Sequence, residues 1–220
     1  AERSASNGLV AAEGGALIQL GAETDFVAKN EQFQKLAAEI ARAAATSKVD
    51  GIDKLKAVEL SSGKTVGESI DGLAVVIGEK IELSNAAYFD GKTAVYLHKR
   101  ASDLPPQVGV LVEYEGSDEG AARTAAMQIA AMRPQYLSRD QVPDETVENE
   151  RRIAEATAKE EGKPERALPM IIEGRVNGFF RDVCLIDQPS VTEPKTTVGK
   201  QLDAAGIKVT RFARFEAAGA

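Results

Sequence analysis

The stretch Gly8-Leu9-Val10-Ala11-Ala12-Glu13-Gly14-Gly15-Ala16-Leu17-Ile18-Gln19-Leu20 decides the fold class. Two short apolar runs joined by a Gly-Gly turn are a hairpin signal. After Gly21–Asn30, the apolar residues Phe33, Leu36, Ala37, Ile40 and Ala44 recur at spacings that place one stripe on one helix face. The alanine-rich run Ala41–Ala45 favours helix further. The same order of strand, turn and alanine-rich helix returns at Val108–Tyr114, where Gly116-Ser117-Asp118 caps a helix carrying Ala122, Ala125, Ile129 and Met132. Arg133-Pro134 stops it. This internal duplication predicts an α+β protein with two similar subdomains, each an antiparallel sheet with packed helices.

The remaining segments fill in this plan. Thr65 and Glu68 have capping-box spacing at the start of a helix running through Ile70, Leu73 and Ile77. Ile81–Phe89 and Thr93–Leu97 read as strands around Asp90-Gly91, a two-residue hairpin signal. The stretch 144–161 is acidic and helical in composition. Pro164 suits the first turn of a following helix ending near Val183, although Pro169 would move its start later. These two form an inserted antiparallel helical hairpin at 144–183. Thr197 begins another helix, and Ile207–Phe215 reads as a strand with one dry and one wet face. The expected limits are an N-terminal core subdomain at 8–98, a C-terminal one at 99–143 and 184–220, and the hairpin between those two pieces.

Composition excludes several classes of chemistry. Among 220 residues there is one Cys (Cys184) and one His (His98), so no intrachain disulfide, Cys-based zinc cage or multi-His metal site can be built. The net charge of −7 argues against broad contact with nucleic-acid phosphates. No apolar run approaches the roughly 18–20 residues that span a bilayer, and no signal-peptide core is present, so a soluble, cytoplasmic protein is expected.

Individual motifs divide between ordinary structure and function. Ser62-Gly63-Lys64-Thr65 has the tail of a phosphate-binding loop, but Val58 stands where its first glycine belongs; a helix N-cap explains it better. His98 has no partner motif for catalysis, and Cys184 lies in an apolar setting that favours a buried, inert thiol. Arg211 and Arg214 offer only a modest basic patch for RNA. Thr24-Asp25-Phe26-Val27 stands out. Thr24 or Asp25 is a good N-cap, but the cap does not account for the apolar pair behind it. That pair is either a staple onto the core or a tip that inserts into a partner.

Thr24–Asn30 also resembles the signature loop of elongation factor Ts. So do Val108–Val112, Ala126–Pro134, Asp187-Gln188-Pro189, Thr196–Gly199 and Arg211–Glu216, in family order along the chain. The resemblance implies a guanine-nucleotide exchange factor rather than an enzyme, with no cofactor or metal of its own. Its partner would be the GTPase elongation factor Tu, whose Mg²⁺ and phosphate site it disturbs to exchange GDP for GTP. Thr24, Asp25, Phe26 and Val27 would form the intruding tip. Ala28, Lys29, Asn30, His98, Val191 and Thr192 would contact the partner. Many members carry Phe and Met where this chain has Ser190 and Thr192. The hairpin 144–183 resembles a coiled-coil module associated with dimerisation in some members, so homo-oligomers are an implied possibility; nucleic acid and membrane are not implied partners. The resemblance also implies that residues 1–7 are the remnant of a linker, that the family's N-terminal ubiquitin-associated-type domain lies outside these 220 residues, and that any C-terminal helical module is absent or reduced.

Overall fold

The first hairpin forms as β1 (Asn7–Glu13) and β2 (Ala16–Ala22), paired antiparallel across Gly14-Gly15 in a computed structural model that describes residues 3–217. Of the linker expected at 1–7, residues 1 and 2 lie outside the described residues, and Asn7 already begins β1. After a short turn of helix, α1 (Asp25–Ala28), comes α2 (Glu31–Ser47), which buries Phe33, Leu36, Ala37, Ile40, Ala41 and Ala44. This is the stripe its spacing predicts. It packs on Ala16, Ile18, Leu20 and Ala22 of β2. A short α3 (Ile52–Lys56) leads to α4 (Val66–Ile77). Thr65 and Glu68 make the reciprocal capping box: the Glu68 N–H donates to Thr65 Oγ1 at 3.1 Å, and the Thr65 N–H donates to Glu68 Oε1 at 2.9 Å. The Thr65 hydroxyl of the phosphate-loop-like segment is therefore engaged in starting a helix.

The reading of Asp90-Gly91 as a hairpin needs correction. β3 (Ile81–Tyr88) pairs with β2, whereas β4 (Lys92–His98) pairs with β5 (Val108–Glu115). The two sheets have the orders β1-β2-β3 and β4-β5-β6, all antiparallel, with β6 spanning Lys208–Glu216. Asp90-Gly91 thus carries the chain from one sheet to the next. Long-range contacts dictate this: the Phe89 N–H donates to the Gly15 carbonyl at 2.9 Å, and the Gly91 N–H to Glu113 Oε2 at 3.1 Å. Accordingly β4, expected inside the subdomain 8–98, belongs to the second sheet.

The sheets face one another through Leu17, Phe89 and Leu111, with Val95, Ala213 and Phe215 packed around them. Gly109 permits the close approach, since a Cβ there would sit 2.9 Å from Leu17 Cδ1. The central strands β2 and β5 are each followed by an alanine-rich helix, which is the structural form of the duplication. In the second sheet this helix is α5 (Glu119–Met132), with the Asp118 side chain accepting from the Ala121 N–H at 3.0 Å. Arg214 donates to the Ala130 carbonyl of α5 at 3.1 Å. Arg211 and Arg214 project to opposite faces of β6, and both faces carry packing, so the dry-face, wet-face reading of that strand does not hold.

The contact pattern separates Met132–Ile207 as a second unit; the first unit runs through Ala131 and resumes at Lys208. Residues 132–143 and 184–207, expected with the second sheet, therefore go with the helical hairpin. Its helices are α6 (Asp144–Glu160) and α7 (Leu168–Val183), linked by Arg151–Glu173 and Arg175–Glu161 ion pairs. Pro169 sits in the first turn of α7, after a 3-10 turn at Glu165–Ala167. At the hairpin's base Val142, Val183 and Cys184 pack with Tyr136, Phe179 and Phe180. The Gln135 and Tyr136 N–H groups both donate to the Val183 carbonyl. Burial pushes the Cys184 thiol up to about 11, so it stays protonated and inert. The helix α8 (Val198–Ala204) starts at Thr197, whose hydroxyl accepts from the Lys200 N–H.

Candidate functional site

Thr24-Asp25-Phe26-Val27 is a strand-to-helix junction in which adjacent residues take opposite roles. Val27 is 6% exposed and belongs to the core beneath α2, while Phe26 is 87% exposed. Of this pair, open between two readings at the level of sequence, Val27 is the staple onto the core and Phe26 is the side chain left in solvent.

The junction is held from two sides. Thr24 is the N-cap of α1, its Oγ1 accepting from the Val27 N–H at 3.4 Å. The same hydroxyl donates to Glu79 Oε2 at 2.9 Å, and the Thr24 N–H donates to Glu79 Oε1 at 3.2 Å. Glu79 follows Gly78, which ends α4 in the left-handed conformation at φ 80°, where glycine is favoured. Next to it, the Lys80 N–H donates to Glu23 Oε1 at 2.7 Å. On the other side, Gln107 Nε2 donates to Asp25 Oδ1 at 3.2 Å, and Lys29 Nζ pairs with Asp103 at 2.7 Å. That ammonium, by its hydrogen bond first and its charge second, holds the Asp103 carboxyl below the usual range. Asn30 caps α2 through its side-chain oxygen and the Phe33 N–H at 3.1 Å.

An open groove beside Phe26 is lined by Asn30, Gln32, Val76 and Ile77. Val76 is 72% exposed, and Val75 in the same last turn of α4 is also exposed. These valines, Glu79 and Gln107 were not singled out from sequence. The exposed pair alone carried a signal, since Ala74-Val75-Val76-Ile77 is too continuously apolar for a helix with one buried face.

The other residues expected at partner surfaces divide. Ala28 is fully buried, so its side chain supports the core instead of a surface. His98 is exposed at the end of β4 and stacks on Tyr96 with ring centroids 6.4 Å apart. The His98 carbonyl accepts from the Gln107 N–H at 3.0 Å, which ties this strand end to the residue holding Asp25. In the second unit, Ser190 is buried and Val191 is exposed. Ser190 Oγ accepts from the N–H groups of Thr192 and Glu193 at 3.1 Å each, and Thr192 Oγ1 accepts from Gln201 Nε2 at 3.1 Å.

The arginines considered for RNA are engaged internally. Arg211 pairs with Glu113 at 2.9 Å and covers the Phe89 ring at 4.3 Å. Among the described residues, no group of three or more His, Cys, Asp and Glu side chains is placed to hold a metal ion. No helix there is long and apolar enough to cross a membrane.

Comparison with known proteins bears on this site. The family model described as "Elongation factor TS" matches residues 23–219, beginning at the junction itself. Elongation factor Ts of Nocardia farcinica is 60% identical over 219 residues, covering 98% of this chain and 80% of that protein. The Nocardioides sp. protein of the same name is 62% identical over 216 residues, covering 98% and 79%. That of Mycobacterium avium is 59% identical over 220 residues, covering 98% and 80%. With the family model matching residues 23–219 and these relatives covering 98% of its length, the chain belongs to the elongation factor Ts family.

Proposed function

We propose that this chain is a translation factor that binds elongation factor Tu in its GDP form and promotes exchange of GDP for GTP, with no chemical transformation of its own. The observation that carries the reading is the split between buried Val27 and exposed Phe26 on a junction clamped by Glu79 and Gln107. A large apolar side chain held in water by a rigid loop is suited to insertion into another protein. Covering Phe26 there contributes roughly 1.5–3 kcal/mol, which offsets part of the cost of distorting the GTPase.

The distortion acts on the Mg²⁺ bound beside the nucleotide phosphates of the partner. Mg²⁺ demands near-ideal octahedral geometry, so a small displacement of its surroundings weakens it. Phosphate charge is then less well neutralised, and GDP leaves more readily. By linkage, a factor that prefers the nucleotide-free partner lowers nucleotide affinity by the same ratio. Asp25 and Phe26 enter that region, with Thr24 and Val27 fixing them. Lys29, Asn30, His98, Val191 and Thr192 supply further contacts, and the α6–α7 hairpin is a candidate surface for self-association. The work takes place in the cytoplasm, where the partner is found.

Mixing the chain with elongation factor Tu carrying fluorescent GDP tests the proposal. Faster loss of the signal in the presence of excess GTP is expected; an unchanged rate at saturating chain would refute it. Calorimetry of the chain alone with GDP and Mg²⁺ should show no specific binding, which separates this reading from a nucleotide site at Gly63-Lys64-Thr65.

A further inference from the structure

Gln107 lies just before β5 and is 2% exposed, although its side chain is polar. Its backbone is fully engaged: its N–H donates to the His98 carbonyl at 3.0 Å, and its carbonyl accepts from the Ala217 N–H at 2.7 Å. The residue therefore sits where the end of β4, the start of β5 and the end of β6 meet. Two prolines precede it, each with φ fixed by its ring, and the Pro106 carbonyl accepts from the Val10 N–H of the first sheet at 2.9 Å. From this rigid platform Gln107 Nε2 reaches Asp25 Oδ1 at 3.2 Å. A buried amide thus donates to an exposed carboxylate one residue from the exposed aromatic ring.

We propose that Gln107 is a positioning residue for Asp25, which sets the carboxylate's direction before a partner arrives. The proposal rests on the exchange reading above and names a residue through which the second sheet controls the tip. Glu79 anchors the backbone and hydroxyl of Thr24, so the Asp25 side chain is the part of the junction whose orientation depends on Gln107. A side chain ordered in advance does not have to be immobilised on binding, and it reaches the distorted state of the partner more often. The backbone anchors do not need the amide, so the local fold and the orientation of Asp25 are separable by substitution.

The experiment is a double-mutant cycle on release of fluorescent GDP from elongation factor Tu, using the full chain, Gln107→Met, Asp25→Ala and the double variant. Thermal unfolding is recorded for each. Gln107→Met keeps the side-chain length and removes the donor. It is expected to lower the maximal release rate about three- to tenfold and to have no further effect once Asp25 is alanine. Equal slowing in both backgrounds would overturn the proposal, because a purely structural Gln107 acts whether or not Asp25 is present. A fully active Gln107→Met would overturn it as well. If Asp25→Ala alone leaves release unchanged, nothing remains for Gln107 to position and the proposal fails, while the exchange reading stands on the activity of the unaltered chain. If Gln107→Met does not fold, Gln107→Glu enters the same cycle, since it keeps the shape and replaces the donor with an acceptor; the same outcomes decide.

Discussion

The junction Thr24–Asn30 and the loop that carries Val191 and Thr192, both expected to meet a partner, are built in opposite ways. The junction is tied to distant elements: Thr24 to Glu79, Asp25 to Gln107, Lys29 to Asp103. Its polar side chains are bonded to the scaffold while remaining exposed, and its aromatic ring faces water. The loop is held mostly by its own bonds, with Ser190 Oγ accepting from Thr192 and Glu193 and the Ser190 N–H donating to the Thr196 carbonyl at 2.9 Å, and with one tie to the nearby α8 through Gln201. It presents Val191, at 44% exposed, as its apolar surface. A junction held by outside anchors can transmit force into a partner. A loop held mostly by its own bonds, with a small apolar side chain, offers a place to rest against one.

The largest contrast should appear in stability. Val27→Ala removes buried core surface and is expected to cost up to about 3 kcal/mol, while Val191→Ala should stay within about 0.5 kcal/mol. Denaturant titration of the two variants checks this, and equal costs would erase the distinction between a stapled junction and a resting loop. Next, Ser190→Ala leaves two loop N–H groups without their acceptor and should cost about 1–2 kcal/mol, read as lost hydrogen-exchange protection confined to 190–196.

Acid should act on the first unit's scaffold. The Arg211 hydrogen bond, more than the opposing effect of burial, holds the Glu113 carboxyl down at about 2 from 4.5, with Thr210 and the Gly91 N–H contributing. A carboxyl lowered in the folded state stabilises above its unfolded value, and that stability is lost as pH falls from 4.5 towards 2. The melting temperature should therefore fall in that window, and Glu113→Gln should flatten this part of the curve. A Glu113→Gln curve as steep as that of the unaltered chain would contradict this. The smallest effect is expected from Glu79→Ala, which frees Thr24 on an exposed surface. Release of GDP should slow about threefold, or somewhat under 1 kcal/mol, with little change in melting. Full activity would show that Gln107 alone suffices to hold the tip.

What could be read from sequence follows the range of the interactions. The Gly14-Gly15 hairpin, the α2 stripe and the Thr65–Glu68 capping box all depend on neighbours a few residues apart, and all were legible. Asp90-Gly91 looks the same locally whether it closes a hairpin or crosses between sheets. Its outcome is set by Gly15 and Glu113, far away in the chain. The Phe26-Val27 pair is ambiguous for the same reason: which residue faces the core is set by the distant elements the junction packs on, Val27 joining their core while Phe26 stays in solvent. Gln107 gave no local signal, because a glutamine before an apolar strand is unremarkable until its burial is known. The family resemblance found the junction, and the fold assigned its two faces.

The central claim is that Phe26 acts on the partner and not on its own core. Phe26→Ala isolates it when release of fluorescent GDP from elongation factor Tu and thermal unfolding are both measured on the one variant. The account predicts a normal melting temperature with release slowed at least about tenfold, the equivalent of about 1.4 kcal/mol. Unchanged release per folded molecule, together with a stability loss of about 3–5 kcal/mol typical of a truncated core aromatic, would contradict it.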